Sequence, residues 1–154
     1  MKKINENVLH FLENQGFVIV ASIGKDGFPH TSCKGIVKID PRGRIYLFDV
    51  YQHQTHDNLI KNPHISITAV DEHKFSGYCL KGLASILFEV KKDQELLKAW
   101  EVRITSRLTQ RLLKNIREEK GHPRHPEILL PKPQYLIVME VEEIIDLTPQ
   151  HLKS

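Results

Sequence analysis

The sequence predicts a mainly β protein, a six-stranded antiparallel barrel with helices packed outside it. Six segments are rich in β-branched and other apolar residues, and most of them are joined by short turns that contain Gly, Pro or Asp. Helical periodicity is confined to the start of the chain, one crossover and the region before the last strand. Tight turns between early strands imply antiparallel pairing.

The first half of the chain is expected to form one helix and three strands. Ile4–Asn14 carries an apolar helical face, and Gly16 follows as a stop signal. The next run is apolar and β-branched throughout, which predicts a strand buried on both faces. Turns are expected at Asp26-Gly27 and at Asp40–Gly43. The strands around these turns are Phe17–Ile23, Pro29–Ile39 and Arg44–Val50.

The crossover after the third strand is expected to contain a short helix over Thr55–Asn62. Thr55 can cap its first turn, Leu59 and Ile60 are expected to face inward, and Pro63 ends it.

Three more strands and a long helical region complete the prediction. Gly82 lies in the middle of the fifth strand and indicates a bulge or a close backbone approach. The strands are His64–Val70, Tyr78–Val90 and Tyr135–Ile145. The helical region is Asp93–Lys120, either one long helix or two joined near Thr105-Ser106. We therefore expect one domain over residues 1–154, with a barrel core at 1–90, a helical insertion and Pro-rich loop at 91–133, and the last strand and tail at 134–154.

Composition and charge narrow the class of protein. The hydrophobic fraction of 40% and the charged fraction of 27% fit a water-soluble globular domain. No signal peptide or membrane-length apolar run is evident, and Cys33 and Cys79 match no zinc spacing, so a cytoplasmic location is expected. The formal net charge of +3 is small for a nucleic-acid binder and compatible with an anionic cofactor such as a phosphate ester.

The segment from Phe48 to Leu59 has the clearest potential for ligand binding. A strand ends, a polar loop follows and a helix begins, and free N–H groups at a helix start attract anions. Thr55, Gln54, His53 and His56 add a hydroxyl, an amide and two imidazoles. The alternative is an ordinary capped helix with solvated histidines, which physical considerations alone favour.

A second candidate segment is His30–Gly35. Small polar residues lie there between apolar ends of the second strand, and such a stretch can leave backbone groups free to meet the edge of a planar ligand. Lys34 could complement a phosphate or an anionic ring. The alternative is an edge strand with a polar outer face.

An ordered series of segments resembles the pyridoxamine 5′-phosphate oxidase-like FMN-binding family. The resemblance runs from about Leu9 to Val90, slightly over half of the chain. No single segment is specific, but their order is moderately so. The segments are Gly16–Ser22, Asp26–His30, Ile45–Phe48, Thr55–Pro63 and Leu80–Ala84.

The resemblance implies a split β-barrel and a homodimer with two FMN sites at the subunit interface. In this family the second strand lies along the isoalloxazine, and the end of the third strand with its loop holds the ring edge and the phosphate. The second-strand positions are Ser32, Cys33 and Lys34, the third-strand and loop positions are Asp49, Val50, His53, Gln54 and Thr55, and Lys81 on the fifth strand is a further member.

Several positions depart from the true pyridoxamine phosphate oxidases. Those enzymes carry an Arg-Lys pair in the phosphate loop and an arginine and a lysine on the second strand. Here the loop reads His53-Gln54-Thr55, and the second strand has Ser32 and Val37. The Arg and Trp signature near the C-terminus is absent from the tail Asp146–His151. The chain is therefore more similar to the small flavin-binding relatives, and we do not expect it to oxidise pyridoxamine phosphate.

Other residues admit both a functional and a structural interpretation. His53 with His56, and His122 with His125, have the spacing of metal ligands but lack a clear third ligand, so no metal is expected. Trp100 and Tyr78 could stack on a flavin, although core packing explains Trp100 better. Cys33 is expected to be a small structural residue beside the cofactor rather than a redox thiol.

Basic residues on the late helix form a stripe. It could be a solvent face, a nucleic-acid contact or a surface that lines the partner subunit's flavin cleft and attracts an anionic substrate. The stripe contains Arg103, Arg107, Arg111, Lys114 and Arg117.

The expected function is FMN binding with two-electron transfer between a reduced nicotinamide or other donor and an unknown small acceptor. The flavin would carry the redox chemistry, and Lys34 and His53 are the candidates for tuning its charge. The alternatives are a haem- or deazaflavin-binding barrel, a flavin carrier or sensor without turnover, and nucleic-acid binding through the basic stripe.

Overall fold

The computed structural model describes residues 1–49, 53–117 and 134–153. Its helices are α1 (Glu6–Glu13), α2 (Gln54–Lys61) and α3 (Gln94–Ile116), with 3₁₀ turns at Val90–Lys92 and Gln150–Leu152. Its strands are β1 (Val18–Ile23), β2 (Pro29–Asp40), β3 (Arg44–Phe48), β4 (His64–Asp71), β5 (Ser76–Leu87) and β6 (Leu136–Asp146). These elements agree with the predicted ones to within a few residues at each end.

The six strands form a closed antiparallel barrel in the order β1-β2-β3-β6-β5-β4. The predicted antiparallel barrel is therefore confirmed. The last strand, β6, lies between β3 and β5 and closes the barrel. Apolar side chains alternate inward along the strands, and the core includes the fully buried Ile45, Leu47, Ile67, Leu80 and Met139.

Two predicted backbone features are present at glycines. Gly27 and Gly43 have positive φ in the turns after β1 and β2, where few other residues fit. The register of β5 against β6 shifts between Lys81 and Gly82, and a Cβ at Gly82 would lie 1.9 Å from the Glu140 carbonyl oxygen. The close backbone approach expected at Gly82 is therefore confirmed.

The turn between β2 and β3 is fixed by one carboxylate. Asp40 accepts hydrogen bonds from the Arg42 backbone N–H at 2.9 Å and from the Arg42 guanidinium. These bonds lower the pKa of the Asp40 carboxyl to about 2. Asp40 therefore stays ionised, and keeps its hydrogen bonds to Arg42, across the ordinary pH range.

Three sequence expectations about local packing are wrong. The first strand is not buried on both faces: its residues alternate, and Ile19 is 41% exposed because the outer face of the barrel at β1 is open to solvent in one chain. Ile60 is exposed, since α2 presents only one side to the barrel. Thr55 does not cap α2, because the helix begins one residue earlier and His53 occupies the cap position.

The helix α3 packs against the outside of β2 through a second apolar cluster. Trp100 is buried there with Val37, Leu96, Ile104 and Leu136. The core-packing interpretation of Trp100 is thereby confirmed. None of the described helices is long and apolar enough to cross a membrane.

Candidate functional site

Among the described residues, the first half of β2 is paired with a neighbouring strand on one edge only. Residues from Pro29 to Lys34 pair with β1, whereas β3 pairs with β2 only from Gly35 onward. The other edge of Pro29–Lys34 is therefore paired with no described strand. An unpaired strand edge is a place where a planar polar ligand can bond the backbone, which is the interpretation that the sequence suggested for this segment.

The polar residues of this half-strand divide between two faces. Directly opposed residues of an antiparallel pair share a face. Lys34 and Ser32 oppose the buried Val18 and Val20, so they face the barrel interior. Cys33 opposes the exposed Ile19 and faces outward. The structure thus brings Ser32 and Lys34 together on one side and places Cys33 on the other.

The helix α2 lies against the inner face of the β1–β2 hairpin, and two side-chain hydrogen bonds join it to these strands. The hydroxyls of Ser32 and Thr55 are 2.9 Å apart. Asn58 donates to the buried Ser22 hydroxyl at 3.0 Å and accepts from Gln54 at 2.9 Å. These bonds hold the first turn of α2 beside the unpaired edge of β2.

The start of α2 is suited to an anion. The first N–H groups of a helix have no partner within the helix, and the His53 side chain provides no cap. Thr55 is buried at this turn, and either its hydroxyl or that of Ser32 can be the donor in the bond between them. The sequence expectation that this turn could seat a phosphate is compatible with this geometry.

A buried carboxylate lies at the end of β3. The Asp49 side chain is 1% exposed, and its Oδ1 lies 2.5 Å from the Lys34 Nζ. Its Oδ2 accepts a hydrogen bond from the Tyr135 hydroxyl at 2.6 Å. Each carboxylate oxygen therefore has a partner, which compensates the cost of burying the charge.

Tyr135 is held from its other side by aromatic rings. The His56 ring lies edge-on to it at a centroid distance of 5.1 Å, and the Phe88 ring is 6.4 Å away. Burial, followed by the hydrogen bond to Asp49, raises the pKa of the Tyr135 phenol well above its usual range. Tyr135 is therefore a neutral hydrogen-bond donor at ordinary pH.

Sequence reasoning did not select Tyr135 for the site. It precedes β6 in the chain and lies 86 positions from Asp49. The signal available was a tyrosine at the start of an apolar strand, since a buried phenol usually has a hydrogen-bond partner. Nothing in the sequence indicated that Asp49 was that partner.

The remaining predicted site residues have different surroundings. His53 is exposed at the start of α2, and Val50 lies outside the described residues. Lys81 is exposed on β5, where its Nζ lies 3.1 Å from Glu143, and it is not part of the Asp49 cluster. Cys79 lies on β5, across the barrel from Cys33 on β2.

Two arginines of the basic stripe interact with the body of the protein. Arg103 donates to the backbone carbonyls of Glu13, the last residue of α1, and of Gln15, at 2.9 and 3.0 Å. The Arg107 guanidinium lies over Gly35, where a Cβ would be 3.1 Å from its Nη1. Arg103 therefore joins α3 to the end of α1, and the Arg107 guanidinium lies over the residue that follows Lys34 in β2. The side chain of Arg111 lies outside the described residues.

No group of three or more His, Cys, Asp or Glu residues in the described parts of the chain could hold a metal ion. His56 is buried among aromatic rings, and its Nδ1 lies 3.2 Å from Asp57. His122 and His125 lie outside the described residues. Tyr78 packs edge-on against Phe11 at 5.2 Å.

Comparison with known families agrees with the fold. The profile described as pyridoxamine 5′-phosphate oxidase matches residues 4–144, which is most of the chain. The chain belongs to the pyridoxamine 5′-phosphate oxidase family. The resemblance inferred from the sequence is confirmed and extends past Val90 into β6. No curated protein matches the sequence significantly.

Solved structures share the fold of this member of the pyridoxamine 5′-phosphate oxidase family at low sequence identity. HupZ of Group A Streptococcus is 20% identical with a TM-score of 0.64, and the match covers 94% of each chain. A Clostridium acetobutylicum protein related to general stress protein 26 is 19% identical with a TM-score of 0.61, covering 97% of this chain and all of that one. An F420 reductase is 15% identical with a TM-score of 0.59, covering 92% and 98%.

Proposed function

We propose that this protein binds FMN at the open edge of β2 and passes electrons between a reduced nicotinamide or other donor and a small acceptor. The observation that carries the proposal is the inner-face arrangement of Ser32, Lys34 and Thr55, which combines an unpaired strand edge, a cation and a helix start. A cytoplasmic location is part of the same proposal.

The phosphate of FMN fits the start of α2. The helix dipole and the N–H groups of its first turn, which have no partner within the helix, favour an anion, and the Ser32–Thr55 hydroxyl pair can supply a further donor. This set of donors takes the place of the Arg-Lys pair of the pyridoxamine phosphate oxidases.

The ring of FMN fits the strand edge. Backbone groups of Pro29–Lys34 can bond its polar rim, and Lys34 adds positive charge on the same side. When bound, FMN supplies the hydride and electron transfer, while the protein binds and orients it and sets the local potential.

The visible spectrum of the purified protein and an FMN titration test the proposal. We expect flavin absorption bands, and a Ser32→Ala/Thr55→Ala variant is expected to lose about tenfold or more in FMN affinity because hydrogen bonds to a charged phosphate are removed. Ser85→Ala is the control, since Ser85 is exposed on β5, across the barrel from β2.

Other spectra would overturn the FMN assignment. A Soret band would indicate haem. The structural similarity to an F420 reductase makes a deazaflavin the second candidate, and binding of that cofactor with no affinity for FMN would replace the proposal. Bound FMN that no nicotinamide reduces would favour a carrier or sensor. FMN affinity that is equal in the double variant and in Ser85→Ala would remove the assigned phosphate site.

The outer face of the β1–β2 hairpin supports a homodimer whose contact runs beside the unpaired edge of β2, where FMN would lie between the subunits. Phe17, Ile19, Ile23 and Phe28 are exposed there, and contiguous exposed apolar residues mark interfaces. We expect sedimentation to give a dimer and Ile19→Glu to weaken it by about tenfold or more, because a charge would be buried in the contact. Val102→Glu is the control, since Val102 is an exposed apolar residue on α3. A monomeric wild-type protein would contradict this proposal.

A further inference from the structure

We propose that Asp49 and Tyr135 are positioning residues that fix the orientation and the effective charge of Lys34 toward the bound cofactor. This inference rests on the proposed FMN site. It assigns Asp49 a role different from direct contact with the ring edge or the phosphate.

The contacts of Asp49 exclude a phosphate-binding role for its side chain. Its carboxylate is negative, is almost fully buried and already has a partner on each oxygen. A phosphate beside it would add repulsion. Since rotation of the carboxylate would break one of two short bonds, Asp49 can hold the Lys34 ammonium in one place.

Three separate parts of the fold meet at this cluster. Lys34 comes from β2, Asp49 from the end of β3 and Tyr135 from the residue before β6. The Tyr135 ring is in turn packed against His56 of α2. The cluster therefore joins the strand edge expected to meet the ring to the helix expected to meet the phosphate.

The electrostatic consequence concerns the charge that Lys34 presents. An ammonium paired with a carboxylate offers little net charge to a ligand. The Tyr135 hydroxyl donates to the other oxygen of that carboxylate and draws part of its negative charge away from Lys34. More positive potential then remains at the Lys34 side chain, which is 11% exposed.

This arrangement favours the reduced cofactor, because the reduced flavin ring can carry a negative charge that the oxidised ring lacks. Tyr135→Phe is expected to weaken binding of reduced FMN relative to oxidised FMN by about tenfold, since one bond to a charged group is lost. Asp49→Asn is expected to change this ratio in the opposite direction, because the ammonium loses its counter-ion.

The experiment measures the midpoint potential of bound FMN and the affinity for oxidised FMN in the wild type, Tyr135→Phe and Asp49→Asn. Tyr78→Phe is the control, since Tyr78 contacts Phe11 away from the cluster. Shifts of opposite sign support the inference. Shifts of the same sign, or shifts no larger than that of Tyr78→Phe, overturn it, because a merely structural role has no reason to reverse sign.

A second variant keeps the test decisive if Asp49→Asn does not fold. Lys34→Gln removes the cation and is expected to shift the potential in the same direction as Tyr135→Phe and further. A smaller shift, or one of opposite direction, overturns the inference. Absence of FMN from the wild-type protein would refute the proposed function itself, whereas bound FMN with unshifted potentials in these variants would refute only the role of Asp49 and Tyr135.

Discussion

Gly82→Ala is expected to lower the free energy of unfolding by about 3 kcal/mol, the upper part of the usual range for overpacking a buried site. The new Cβ would lie 1.9 Å from the Glu140 carbonyl oxygen and 3.2 Å from the Val141 Cα. These are backbone atoms of β6, so relief requires β5 and β6 to separate, and these strands share the most extensive pairing in the barrel.

Urea denaturation of Gly82→Ala and Gly16→Ala provides the comparison. A Cβ at Gly16 has no neighbouring heavy atom within 4 Å, so its replacement is expected to be nearly neutral. A loss below about 1 kcal/mol at Gly82 would show that the register shift in β5 can move without cost, contrary to the packing described.

Removing either partner of the Lys34–Asp49 ion pair is expected to cost about 3 kcal/mol of stability. Lys34→Met leaves the buried Asp49 carboxylate with only the Tyr135 hydroxyl, and Asp49→Asn leaves a nearly buried ammonium without its anion. The double variant Lys34→Met/Asp49→Asn contains neither unpaired charge, and we expect it to lose only about 1 kcal/mol.

A double-mutant cycle on the protein without added cofactor measures this coupling. The same cycle at the exposed pair Lys81–Glu143 is the control and is expected to give a coupling below about 1 kcal/mol. Additive losses at Lys34 and Asp49 would mean that the two charges are solvated independently, and the close contact described here would then be wrong.

The positions of the strands along the chain and of the turn glycines were accessible from the sequence because they depend on local chemistry. Gly27 and Gly43 occupy turns that require positive φ, and Gly82 interrupts an apolar strand. Successive side chains of a strand point to opposite faces. This rule, applied to β2, predicts that Cys33 faces away from Ser32 and Lys34, as the structure has it.

The site itself depends on contacts that local patterns do not contain. Tyr135 reaches Asp49 only because β6 lies between β3 and β5. That strand order is set by the topology of the whole barrel and not by the local propensities of the residues. Thr55 matches the pattern of a helix cap, yet its hydroxyl lies within hydrogen-bond distance of Ser32, because α2 packs on the inner face of the β1–β2 hairpin. The exposure of Ile19 likewise depends on whether another element covers the outer face of β1, and the local sequence of β1 does not contain that information.

A crystal structure of the protein grown with FMN tests the central claim most directly. We expect the phosphate to contact the first turn of α2 and the Ser32 and Thr55 hydroxyls, with the ring along Pro29–Lys34 and Lys34 still bound to Asp49. Flavin bound at another surface, or an α2 start that is covered by protein and excludes the phosphate, would contradict the account.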